Sequence, residues 1–224
     1  MKTFHDRNGF TLLELMTVVA IMGIVVAMAV PSIKAYQRKE VTRGSVKQVS
    51  GWVSDARSQA ISGGRMTFLL LEEPTNGLFP FEDGQFASLV TDSNGNRALD
   101  ETDSSMPVYL PSGANSHVKK VGPDSTLVAD VVVSPDDETE RSPGATLTEL
   151  VDGTTLPLAD GVGVPAVAFS PQGAPVAVNT PDQWGTGAGG IYLTDNESLV
   201  LAVLVMPLGE VKVQSYDAGS GEWK

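Results

Sequence analysis

Near the start of the chain, Asn8-Gly9-Phe10-Thr11-Leu12-Leu13-Glu14 runs directly into LMTVVAIMGIVVAMAVPSI, Leu15 to Ile33, nineteen residues without a single charge. As a helix rising about 1.5 Å per residue, that stretch reaches about 28 Å, close to the hydrocarbon thickness of a bilayer. It predicts one membrane span. A cleaved secretory signal is the alternative, but its apolar region would be only about 7 to 15 residues and would end at a small-residue cleavage site. Here the apolar run is longer and continues without a break into KAYQRKEVTRGSVKQVSGWVSDARSQAIS. In that continuation Val46, Val49, Val53, Ala56 and Ala60 recur at steps of three and four, the spacing of one helical stripe. The helix is therefore expected to carry on past the span and lay this stripe on a packed body, stopping at Gly63 and Gly64.

Glu14 is the one charge inside the apolar region. A carboxylate in mid-membrane costs about 2.5 to 3.5 kcal/mol even on lenient scales, so it either has a partner or lies at the interface as the last polar residue before the span.

The whole chain has 224 residues, enough for one globular body with an appendage. With 42% hydrophobic and only 19% charged residues it is too apolar to stay disordered. Its net charge of −12 repels phosphate, which argues against general nucleic-acid binding. No cysteine is present, so disulfides, thiolate nucleophiles and Cys-ligated zinc are excluded. The two histidines, His5 and His117, offer little to a His-based hydrolase or a metal site, and no nucleophile elbow precedes any serine.

Beyond Gly64 the runs RMTFLLLEE, QFASLVTD, TLVADVVVS, PAVAFSPQG, GGIYLTD, LVLAVLVMP and GEVKVQSYD are short, β-branched or apolar, and bounded by Gly, Pro, Asp and Asn. They predict a sheet-rich body. Gly185-Thr186-Gly187-Ala188-Gly189-Gly190 has the composition of a phosphate cradle, yet the strand-like IYLTD follows it where a helix N-terminus would be needed, so it reads as a turn.

The leader with Lys2 and Arg7, the Gly9-Phe10 junction and Glu14 together resemble the signal of type IV prepilins and type II secretion pseudopilins. The run AFSPQGAP and the C-terminal strands resemble the sheet of the GspH/FimT family of minor pilins and pseudopilins. The resemblance implies an α+β, pilin-like fold, with a long N-terminal helix packed on antiparallel sheets and Val46, Val49 and Val53 as the packing stripe. It implies cleavage by a prepilin peptidase between Gly9 and Phe10, N-methylation of Phe10, and assembly governed by Glu14 and Thr11. Glu14 would pair with the Phe10 amine of an adjacent subunit, a counter-charge that relieves a buried carboxylate. The organisation it implies is a leader over 1–9, the membrane half of the helix over 10–33, an amphipathic half over 34–62, and a β-rich body over 63–224 with an acidic insertion around 92–152.

The function implied is a structural, non-enzymatic minor pilin that enters and helps initiate a type IV pilus. The alternatives are a minor pseudopilin of a type II secretion system and a pilus-borne DNA receptor. The receptor reading is weakened because such pilins carry a basic Gly-Arg-x-Arg where this chain has Gly209-Glu210-Val211-Lys212. Partners would be other major and minor pilins or pseudopilins, the prepilin peptidase, the inner-membrane assembly platform and, before assembly, membrane lipid; nucleic acid is not expected. The location implied is the bacterial inner membrane, N-terminus cytoplasmic and body periplasmic, and then the filament. Flanking charge points the other way, since Lys34, Arg38, Lys39, Arg43 and Lys47 follow the span with only Glu40 opposing them.

Two acidic segments complete the reading. Asp92, Asn94, Asn96, Asp100 and Asp103 place side-chain oxygens in the manner of a calcium loop, although Arg97 and Asp103 stand where an EF-hand has glycine and glutamate. A solvated hairpin turn, similar to one common in GspH/FimT proteins, is the favoured reading, and no cofactor other than this calcium candidate is expected. Asp124 to Asp152 holds eight acids and only Arg141 as a base, a solvated loop or a surface for a basic neighbour.

Overall fold

In the computed structural model, residues 10–74, 76–111, 114, 118–120, 165–178, 181–217, 220 and 222–224 are described. The leader, His117 and the acidic stretch from Asp124 to Asp152, with the TLVADVVVS run, lie outside the described residues. The chain divides into two compact units, Met1–Lys39 and Glu40–Lys224.

One helix, α1 (Leu12–Gly63), begins in the first unit and continues through the second. Its start is fixed by a reciprocal pair. The Glu14 amide donates to Thr11 Oγ1 at 3.2 Å, and the Glu14 carboxylate accepts the Thr11 amide at 3.0 Å and the Thr11 hydroxyl at 2.9 Å. This Thr-x-x-Glu box satisfies amides that a helix N-terminus otherwise leaves bare. Pro31 lies within the helix and has no N–H to give to the carbonyl four residues back. The helix stops where Gly64 takes φ +63°, a left-handed conformation that glycine adopts without a Cβ clash.

The second unit is an α+β body. Strands β1 (Thr67–Leu70), β2 (Gln85–Thr91), β3 (Ser104–Tyr109), β5 (Ala166–Phe169) and β6 (Pro175–Val176) form one antiparallel sheet in the order β3-β2-β1-β5-β6. Strands β4 (Lys119–Lys120), β7 (Gly189–Thr194), β8 (Val200–Val205), β9 (Val211–Asp217) and β10 (Glu222–Trp223) form a second, in the order β10-β9-β8-β7-β4. Both sheets give their alternate residues to one core. Val46, Val49, Val53, Ala56 and Ala60 of α1 are fully buried in it, among Leu69, Leu89, Val167 and Phe169 of the first sheet and Ile191, Leu193, Leu201 and Val203 of the second. The small residues on the helix stripe let the backbone approach both sheets closely.

Because strand side chains alternate between faces, the opposite faces collect separate clusters. Phe68, Leu70, Val90, Ala168 and Val176 pack with Phe79 on the first sheet. Tyr192, Val200, Ala202 and Leu204 pack on the second, with Tyr192 and Tyr216 both against Trp223 at ring distances of 5.9 and 5.4 Å. Apolar runs buried on both faces are what made β1, β5, β7 and β8 legible as strands. Strand β3 was not anticipated: it is an edge strand, mostly exposed, with Pro107 in its middle, a residue that sheets admit at their edges.

Candidate functional sites

Within the first unit, Phe10 is 83% exposed, and the apolar residues of the predicted span, from Leu15 to Ile33, keep most of their surface uncovered. This is the one helix among the described residues long and apolar enough to cross a membrane. A packed domain does not leave so continuous an apolar surface to water. Lipid or other protein is the covering that the chemistry of this segment suits. Gly9, the predicted cleavage residue, lies outside the described residues. The Glu14 carboxylate stands at the entrance to this surface and is held by Thr11 of its own chain. The sequence reading gave it only an intermolecular partner, although the Thr-x-x-Glu signature of a capping box was there to be read.

In the second unit, the five oxygen-bearing residues from Asp92 to Asp103 come together in the β2–β3 connection. Asp92 is 1% exposed. Its carboxylate accepts the Gly95 amide at 2.6 Å and the Arg97 amide at 2.9 Å. The Asp100 carboxylate accepts from the side-chain Nδ2 groups of Asn94 and Asn96, both at 2.6 Å, and from the backbone amide and the hydroxyl of Thr102 at 2.7 and 2.5 Å. Asp103 accepts the Ser93 amide at 2.9 Å and the Asp100 amide at 3.1 Å. The donated bonds to Asp100, led by the Thr102 hydroxyl, pull its pKa down to about 2, while partial burial raises that of Asp103. The carboxylates are thus spent on the turn itself. Among the described residues, no three His, Cys, Asp or Glu side chains are grouped to hold a metal ion.

The glycine-rich run serves packing. A Cβ on Gly187 would lie 2.4 Å from the Val176 carbonyl, so glycine is what permits β6 to pass that close, and β7 follows directly. Arg57, which the sequence reading did not single out, ties α1 to two distant turns, donating to the Gly173 carbonyl at 3.0 Å and the Leu208 carbonyl at 3.1 Å.

Residues 5–30 match the family model of the prokaryotic N-terminal methylation motif. Two Pseudomonas aeruginosa proteins, each named "Fimbrial protein", are 35% identical to the chain over 98 residues, which is 43% of this chain and 60% of each relative. In its N-terminal part the chain is similar to type IV pilins. The pilin-like sequence spans about three-fifths of the length of those curated relatives, and no solved structure matches it. The apolar helix with the methylation motif at its head fits a membrane-anchored, pilin-like protein.

Proposed function

We propose that the chain is a minor pilin: a structural subunit inserted in the bacterial inner membrane, cut between Gly9 and Phe10, methylated on Phe10, and drawn into a type IV pilus that it helps to initiate. The observation that carries this is the coincidence of the methylation motif over residues 5–30 with a helix whose apolar surface, starting at Leu12, is left exposed among the described residues. A surface of that kind suits two successive environments, the bilayer before assembly and the apolar interior of a filament after it. The body beyond Gly64 would stand in the periplasm and then outward on the filament. Its partners would be other pilins, the peptidase and the assembly platform. No described cluster of side chains suggests catalysis, and the work of the molecule on this reading is assembly.

Mass spectrometry of the protein from a host with prepilin peptidase tests the reading directly. A chain beginning at N-methylated Phe10 is expected. An intact Met1 in that host would overturn it.

A further inference from the structure

We propose that the cleft formed by Arg97, Asp182 and Trp184 is a binding site for a single neutral hexopyranose ring, as the terminal sugar of a glycan or polysaccharide. The site lies wholly in the second unit and is independent of the filament reading. It is a cavity of about 150 Å³, lined by Met66, Pro171, Pro181 and Trp184 on its apolar side and by Arg97, Ser170, Gln172 and Asp182 on its polar side.

The chemistry of the lining selects the ligand. Trp184 is 65% exposed, so its large apolar ring faces solvent at the cavity. The negative face of an aromatic ring attracts the weakly positive C–H face of a pyranose, whereas the sugar's hydroxyls project around the edge of its ring. Each hydroxyl both donates and accepts, and a matching site must offer both functions side by side. Arg97 and Asp182 do so, paired at 2.5 Å between Nη1 and Oδ1. Their charges cancel, leaving guanidinium donors and carboxylate acceptors at the cavity. Ser170 Oγ accepts the Ala174 amide at 3.3 Å and keeps its own proton to donate. An apolar cleft with a few convergent polar groups is the usual form of a small-ligand site. The protein's net charge of −12 favours a neutral sugar over a uronate or other anionic one.

The polar side is also built in advance. Arg97 has φ +64°, a left-handed conformation unusual for a residue with a Cβ. The buried Asp92 carboxylate holds it there by accepting the Arg97 and Gly95 amides. Strain of this kind persists where the surroundings impose it, and it often marks a functional position. Here it directs the guanidinium to a loop eighty-five residues further along the chain. The acidic turn thus acquires a purpose that its metal-like spacing did not reveal.

The test is indole NMR of the full chain, labelled with nitrogen-15 and held in a zwitterionic detergent without sugar groups. Trp52, Trp184 and Trp223 give one indole signal each. Methyl α-mannopyranoside, methyl β-galactopyranoside and N-acetylglucosamine are titrated in turn, with glucuronate as the charged comparison. At least one neutral sugar is expected to shift the Trp184 signal alone, and saturably. Asp182→Asn should weaken that response about tenfold, and Trp184→Ala should remove sugar retention on an array of the same immobilised sugars. A silent Trp184 signal with every sugar overturns the proposal, as does a response unchanged in Asp182→Asn. A Trp184 signal that moves with protein concentration but not with sugar also overturns it, and assigns the cleft to contact between copies.

Discussion

The two halves of α1 draw on similar apolar residues and end in opposite surroundings. From Leu15 to Ile33 the side chains are uncharged, almost all apolar, and mostly exposed; from Thr42 to Ala60 one stripe of small residues is buried and most of the remaining circumference, Trp52 apart, is polar or charged. The second pattern is what a helix needs to find its partner within its own chain, because a single apolar stripe can be covered by one packed surface. An all-round apolar helix has to be enclosed, and the described residues leave it exposed. The acidic turn extends the contrast to charge. Asp92, Asp100 and Asp103 have their oxygens filled by neighbouring N–H and O–H groups, whereas Glu14, beside an exposed apolar surface, is held among the described residues by Thr11 alone.

The largest expected effect breaks the comparison at Glu14. Leaving one charge of a desolvated pair unmatched typically costs about 3 to 5 kcal/mol, so Glu14→Ala should lower recovery in sheared filaments by about a hundredfold or more while the protein stays membrane-inserted. Glu14→Gln separates the cap that the structure shows from the charge that the proposed assembly role needs. Glutamine serves the capping box as glutamate does, but carries no charge. Recovery of Glu14→Gln as low as that of Glu14→Ala on immunoblots of filament fractions would identify charge as the determinant. Recovery near wild type would identify the Thr11–Glu14 cap instead.

Next in size is the difference between the halves under truncation. Val53→Ala removes buried methyl groups from the shared core and should cost about 2 kcal/mol of stability, lowering the melting temperature of the body. Val25→Ala, on the exposed half, should leave that melting temperature where it was. Similar losses at the two positions would mean that the first half is covered by something within the chain.

Much of this was legible beforehand, for a physical reason. Periods of three-to-four and runs of β-branched residues encode which surface must be buried, so α1 and strands β1, β2, β5, β7, β8 and β9 could be read directly. Strand β3 could not, because an edge strand with Pro107 and an exposed face lacks that signal. The Asp92 turn was visible as a pattern but ambiguous in meaning: oxygens spaced for a cation are equally spaced to accept successive backbone amides. Pairings across long sequence separations, Arg57 with Leu208 and Arg97 with Asp182, depend on how the sheets come together and leave no local trace.

A smaller effect concerns pH. Asp100 has a folded pKa of about 2, below its ordinary value of 3.8, so its ionised form stabilises the fold at higher pH and that contribution is lost as pH falls from about 4 to about 2. Asp103 is shifted upward by burial, so its contribution has the opposite sign and fades as pH rises through its folded pKa. Thermal melts across acid pH should therefore show a flatter acid limb for Asp100→Asn than for wild type. An unchanged limb would mean that Asp100 titrates alike in the folded and the unfolded chain, so that its hydrogen bonds contribute no pH-dependent stability.

The smallest expected effect is that of calcium, and it sharpens the contrast between carboxylates that are spent and those that are not. A ligand raises the melting temperature only by binding the folded state more tightly than the unfolded one. Calcium takes about 6 to 8 oxygens and cannot use a carboxylate lone pair that already accepts an N–H bond. At Asp92 both oxygens accept backbone amides, and that residue is buried. At Asp100 the two oxygens receive four donors. Binding would therefore have to break the bonds that fold the β2–β3 connection, returning little net energy. Millimolar calcium is accordingly expected to leave the melting temperature of the full chain unchanged within error. A clear rise that Asp100→Asn abolishes would show that the turn rearranges around a cation, and that its carboxylates are no more committed than Glu14.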